Sequence, residues 1–175
     1  MDILVVLEDL NGKIHRLSLE AIVGAQKLSA SQNLNIVALA IGSNANELAS
    51  AASEYEIDKV LKVTNDLVSD YSSDGYTEVV RQIIDRDSPK YIFFGHTYQV
   101  RDYAPKLSAK LMKPLLADTI ALEVNGDTVV TTKQMYNAKL LSNVTALKDP
   151  PYLVSFQSAA FNSDNIISGS AQIEE

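Results

Sequence analysis

The sequence predicts an α/β fold: an open, mostly parallel sheet with helices on both faces, passing into an antiparallel extension in the C-terminal third. Three observations carry this expectation. Short β-branched runs at 3–7, 34–41, 59–64 and 90–95 alternate with longer stretches of three- or four-residue apolar spacing, which is a βαβ rhythm. The runs are short and mainly apolar rather than alternating, as strands covered on both faces by right-handed crossovers must be. Beyond residue 114 the rhythm changes, because "TIALEVNGDTVVTTKQMY" reads as two alternating strands around Asn125-Gly126, a strong hairpin signal.

The opening "MDILVVLEDL" carries five apolar residues in succession between acidic flanks, which makes it a first strand and not a signal peptide. A helix follows, with Ser18 as its expected cap, Leu19, Ile22, Val23, Gln26 and Ala30 on one stripe, and Lys13 and Arg16 left in the preceding loop. After the second strand, Gly42 supplies a turn and Asn44 or Asn46 a cap for a small-residue helix whose alanines permit close approach to a sheet. The third helix lies in "SSDGYTEVVRQIIDRDSP", where Val79, Ile83 and Arg86 follow helical spacing and Pro89 prevents continuation. Pro105 limits where the fourth helix begins: with Asp102 as cap, the proline falls in the first turn, where its missing N–H costs nothing. That helix is expected to bury Tyr103, Leu107 and Leu111 and to end at Pro114. The region beyond is expected to be antiparallel, with the hairpin followed by strands at 138–147 and 152–157. The tail after Phe161 reads as a linker or exit arm.

Composition excludes several function classes. Acidic residues outnumber basic ones by 22 to 15, a net charge of −7, so the global field repels a nucleic-acid backbone. No apolar run approaches the roughly 20 residues that cross a bilayer. The absence of cysteine removes disulfides, thiol catalysis and cysteine-ligated metals, and points to a reducing, cytoplasmic address. His15 and His96 are the only histidines, too few for a multi-histidine metal site. The glycines at 12, 24, 42, 75, 95, 126 and 169 spell neither a dinucleotide-binding fingerprint nor a P-loop, and no nucleophile elbow occurs. A self-contained enzyme is therefore not expected.

One polar stretch stands out, residues 96–102 after the fourth strand, because ligands of open parallel sheets sit beyond the carboxyl ends of strands. Thr97 and Arg101 could hold a phosphate or a partner carboxylate there, and His96 and Asp102 complete the candidate anion or interface contacts. The same residues also fit a helix cap, a surface ion pair and a hydrogen-bonded loop histidine. No nucleophile, paired carboxylate or second histidine is visible beside them. Glu8, Asp9 and Glu20 are expected to line solvated loops, and Lys106, Lys110 and Lys113 a solvated helix face.

Several ordered stretches resemble one family. "ILVVLEDLNGKIHRLSLEAIVGAQKL", "IDKVLKV", "FGHTYQVRDYAPKLSAKLMKPLLADTIALE" and "MYNAKLLSNV" are similar, over about residues 2–160, to the N-terminal domain of electron transfer flavoprotein alpha subunits. Val100 stands where many members carry Gly before the Arg, and Asn137-Ala138-Lys139 where they carry Gly-Asn-Ala.

The resemblance implies a Rossmann-like, adenine nucleotide alpha hydrolase-like sheet spanning residues 1–160, with 161–175 as a linker towards a FAD-binding domain absent from this chain. It implies FAD in the complete protein, none on this chain alone, a beta subunit as heterodimeric partner with AMP allowed in it, and dehydrogenases and a quinone oxidoreductase as electron donors and acceptor. The role implied is a scaffold and subunit interface, without a catalytic centre of its own. A stand-alone nucleotide-binding module of the universal-stress type is the alternative, since it shares an open parallel sheet, and a ligand-free assembly subunit is a third. The universal-stress type usually carries a late Gly-rich phosphate loop, which "SGSAQIEE" imitates poorly.

Overall fold

The computed structural model describes residues 1–126, 128–147 and 149–175; Asp127, part of the stretch read as a hairpin, lies outside them. Strand β1 (Ile3–Val6) leads through a small antiparallel ribbon, β2 (Asp9–Leu10) and β3 (Lys13–Ile14), into helix α1 (Arg16–Gln32). There follow β4 (Ile36–Ile41), α2 (Ala45–Ala52), β5 (Lys59–Val63), α3 (Ser73–Asp87), β6 (Tyr91–Gly95) and α4 (Tyr98–Leu111). The C-terminal third holds β7 (Leu115–Asn125), β8 (Thr128–Met135), β9 (Leu140–Thr145), β10 (Tyr152–Phe156) and β11 (Gln172–Glu174). Eight of these strands join β1 in one sheet of order β11-β5-β4-β1-β6-β10-β7-β8-β9.

The parallel sheet runs from β11 to β7, and β7, β8 and β9 form the expected antiparallel arm, with Asn125 opposite Thr128 across the hairpin. One expectation is corrected. The strand read at 152–157 does not extend the antiparallel arm but slots between β6 and β7, parallel to both. It can occupy that place because Tyr152–Phe156 is buried at every position, as a strand with neighbours on both sides and helices or arm residues on both faces must be.

Alternation divides the core into two layers. Ile3, Val5, Ala38, Ala40, Phe93 and Val154 pack with α1 and α2, and Leu4, Val6, Leu39, Ile41, Phe94 and Leu153 with α3 and α4. The small residues Ala45, Ala49 and Ala52 of α2 are wholly buried, which bears out the close approach expected of that helix. Asn44 takes its N-cap position, without a side-chain cap bond.

Helix starts depart from the sequence reading in a consistent direction. Helix α1 begins three residues early, with His15 at the N-cap, its Nδ1 accepting the Leu17 N–H at 3.1 Å. Arg16 is thus helical, and Ser18 instead accepts the Glu8 N–H at 3.0 Å, tying the helix to the loop after β1. In α3, Ser72 caps by accepting the Gly75 N–H, and the buried face runs through Tyr76, Thr77, Val80, Ile83 and Ile84, leaving Val79 half-buried and Arg86 exposed. In α4, Thr97 and not Asp102 is the cap, so Pro105 lies inside the helix. Tyr103 and Leu107 are buried as expected, and Leu111, half-buried, ends the helix ahead of Pro114.

The tail read as a linker lies against the domain. Phe161 packs edge-on to Phe156, a short 3-10 turn covers Ser163–Asn165, and β11 pairs in parallel with β5.

Candidate functional site

Helices α1 and α2 lie on one face and α3 and α4 on the other, so the chain reverses its direction of travel across the sheet between β1 and β6. This is the switch point of the topology, where an open α/β sheet leaves a crevice beyond its strand ends. A cleft of about 390 Å³ opens there, lined by Glu8, His15, Leu17, His96, Thr97, Tyr98 and Arg101.

Its floor is set by close packing. A Cβ on Gly95 would lie 2.5 Å from the Leu17 Cβ and 2.9 Å from the Leu17 carbonyl carbon, so only glycine lets the end of β6 touch the first turn of α1. That contact places His15, at the start of α1, across from His96, which follows β6.

Thr97 is the pivot of the site. Its Oγ1 accepts the Val100 N–H at 3.1 Å, capping α4, and donates to the Glu8 carboxylate. The hydroxyl is therefore spent on two partners inside the protein. His96 is held by two strands, β10 and β7: its N–H donates to the Phe156 carbonyl at 2.8 Å, its Nδ1 lies 2.9 Å from the Ser155 hydroxyl, and its Nε2 lies 3.9 Å from Asp118. Burial pushes the His96 imidazole below its ordinary pKa, Asp118 acts in the opposite direction, and Arg101 and Lys133 add to the depression. The ring is thus neutral near neutral pH.

Arg101 is exposed on the second turn of α4 and stacks over the Tyr98 ring at 5.4 Å; among the described residues it makes no ion pair. Tyr98 is 88% exposed, which leaves the rim of the cleft with an aromatic face and a cation. Asp102 points elsewhere. It accepts the Tyr71 hydroxyl at 2.7 Å, and burial followed by this bond raises the Tyr71 pKa.

Of the four sequence-predicted residues, the structure brings His96, Thr97 and Arg101 to one cleft and leaves Asp102 outside it. Glu8, His15, Leu17 and Tyr98 were missed as cleft residues. The acidic trio is corrected as well: Glu8 is half-buried beneath Thr97, Asp9 accepts the Gly12 N–H and the Asn44 amide, and Glu20, 1% exposed, pairs with Arg16 and accepts the Ala159 N–H at 2.7 Å. A signal was present in part, since Glu20 lies i+4 from Arg16.

Chemically the cleft offers, among the described residues, one free cation, two imidazoles and a carboxylate already bonded. A flavin or nucleotide diphosphate does not fit it. Thr97 occupies the Val100 N–H at the helix start, and the Glu8 carboxylate would face the phosphates. Nor does "SGSAQIEE" form a phosphate loop: Gly169 and Ala171 donate their N–H groups to the Glu54 and Ser53 carbonyls, and a Cβ on Gly169 would meet the Glu56 Cα at 2.6 Å. Among the described residues no group of three or more acidic, histidine or cysteine side chains is placed to hold a metal ion, and no helix is long and apolar enough to cross a membrane.

The electron transfer flavoprotein domain model matches residues 3–175. The chain belongs to the electron transfer flavoprotein domain family. It is 32% identical over 142 residues to the electron transfer flavoprotein subunit alpha of Bacillus subtilis, covering 81% of this chain and 43% of that protein. It is 25% identical over 174 residues to protein FixB of Clostridium saccharobutylicum, covering 98% and 52%. With a probable mitochondrial electron transfer flavoprotein subunit alpha of Cryptococcus neoformans it shares 29% identity over 175 residues, covering 98% and 49%. The chain thus spans about half the length of the curated relatives it matches, and corresponds to their N-terminal part. The family resemblance read from the sequence, and the open parallel sheet it implied, are both borne out.

Proposed function

We propose that this chain is the N-terminal scaffold and subunit-interface domain of an electron transfer flavoprotein alpha subunit. In this reading it packs against a beta subunit of similar fold, which has room for AMP. FAD is held by a domain that follows residues 161–175, and it carries electrons from dehydrogenases to a quinone oxidoreductase or another acceptor in the cytoplasm. The observation that carries the reading is the family match across 3–175 together with coverage of only half of each relative. The cofactor supplies the redox chemistry, and this chain's residues supply shape and contact. Within the cleft, Arg101 and Tyr98 form the rim that meets a partner carboxylate, and Thr97 and His96 hold the rim in place. A cation beside an exposed aromatic ring is the composition of an interface anchor.

The test is co-purification with a beta subunit. Arg101→Ala should weaken association about tenfold or more while the melting temperature stays within about 2 °C of the parent, as expected when a surface anchor is lost without its scaffold. Undiminished association with a lower melting temperature would assign Arg101 a structural role and overturn the interface reading. The chain purified alone should be colourless; a stoichiometric flavin absorption band that survives gel filtration would refute the assignment of FAD to a following domain.

A further inference from the structure

The segment after Phe161 is attached to the domain in two different ways. Its first part is clamped by buried and backbone groups. The Gln26 amide, 5% exposed, donates to the Glu56 and Ile167 carbonyls and accepts the Ile167 N–H at 3.0 Å. Glu56 donates its N–H to the Ile167 carbonyl at 2.8 Å, and the Gly169 and Ala171 N–H groups are bonded to the turn after α2. Phe161 lies against Gly24, Phe156 and Lys27, where a Cβ on Gly24 would strike its ring at 2.6 Å.

The last part, β11, has its ladder with β5 but no buried side chain to clamp it. All three of its residues are exposed, among the described residues it pairs only with β5, and even Ile173 is 47% exposed. What faces it is charge. Lys59 reaches Glu174 at 2.7 Å, Lys62 reaches Glu175 at 3.4 Å, and the Thr64 hydroxyl donates to Glu175 at 2.6 Å. The bond from Thr64, and then that from Lys62, hold the Glu175 carboxyl below the usual carboxylate range.

We propose that β11 is a charge-held latch that leaves and rejoins the β5 edge independently of the clamp on 161–171. A three-residue edge strand gains little from apolar burial, so its attachment rests on ladder bonds and ion pairs that salt weakens. The clamp, by contrast, depends on ring packing and on a buried amide, which salt leaves alone. The inference uses only residues of this chain.

Residue-resolved amide exchange on the full chain tests this, compared between about 0.05 M and about 1 M NaCl, where the screening length falls from roughly 14 Å to 3 Å. The β11 amides should exchange about tenfold faster, or more, at high salt, while those of Ile167, Gly169 and Ala171 keep their protection. The Lys59→Ala/Lys62→Ala variant should show the fast pattern already at low salt, and the exchanged pair Lys59→Glu/Glu174→Lys should restore part of the protection. Salt-independent protection of β11, release of 163–175 as one unit, or β11 unprotected under both conditions would each overturn the proposal.

Discussion

Replacing Thr97 with Ala removes two bonds with one atom. The first is the cap on the Val100 N–H, worth about 1 kcal/mol in comparable helices. The second is the hydrogen bond to the Glu8 carboxylate, and bonds to charged groups contribute about 1.5–3 kcal/mol when buried. Glu8 is only half-buried, so water recovers part of the second loss, and the expected total is about 2–3 kcal/mol. For a chain of this size that corresponds to a fall in melting temperature of roughly 4–12 °C. Asp102→Ala, which removes only an exposed acceptor for Tyr71, should cost about 0.5 kcal/mol or less. Urea denaturation of Thr97→Ala, Thr97→Ser and Asp102→Ala decides the matter. Serine keeps the hydroxyl and should retain most of the stability. If Asp102→Ala is as damaging as Thr97→Ala, or Thr97→Ser is no better than alanine, the capping assignment is wrong.

Three further outcomes are expected. Gly95→Ala forces β6 and α1 apart at Leu17 and should destabilise by about 1–3 kcal/mol, read as a shifted urea midpoint with an unchanged slope. The depressed His96 pKa means that the unfolded chain binds the proton more readily; this contribution to stability is fully present above about pH 6.5 and is lost as pH falls through the lower folded value. His96→Gln should flatten the stability profile in that window, and an unaltered profile would refute a neutral, partly buried imidazole. Limited proteolysis should not separate 1–114 from 115–160, because β7 is paired to β10 within the parallel sheet; independently folded fragments from a cut near Pro114 would contradict this.

The strands and the hairpin were legible because their signals are local. Unbroken apolar runs at 3–7, 36–41 and 91–95 admit few other readings, and Asn125-Gly126 fixes a turn within two residues. The start of α4 was not legible, since Pro105 argued for the first turn by its own chemistry. Tertiary burial of Val100, Tyr103 and Ala104 outweighs that preference and carries the helix through the proline. The place of β10 is a matter of spatial order, which no local pattern encodes. The cleft was half legible: His96, Thr97 and Arg101 share one short stretch, whereas Glu8 and His15 reach it only by the contact of α1 with Gly95. The tail escaped notice because its anchoring comes from single residues, Phe161, Gln26 and Gly169, and not from a periodic pattern.

The insertion of β10 between β6 and β7 also bears on how the chain is made. A ribosome delivers β1, β4, β5 and β6 in an order that lets each join a growing parallel sheet, but β7, β8 and β9 emerge before the strand that links them to it. Until Tyr152–Phe156 arrives, β6 presents an open edge bearing Tyr91, Ile92, Phe93 and Phe94, while the three-stranded arm is tethered only through α4. A nascent or truncated chain ending before residue 150 is therefore a sticky intermediate, prone to pair its bare aromatic edge with a neighbour. The keystone strand is synthesised after both of the strands it joins, which gives chaperones a defined interval in which this protein would need them.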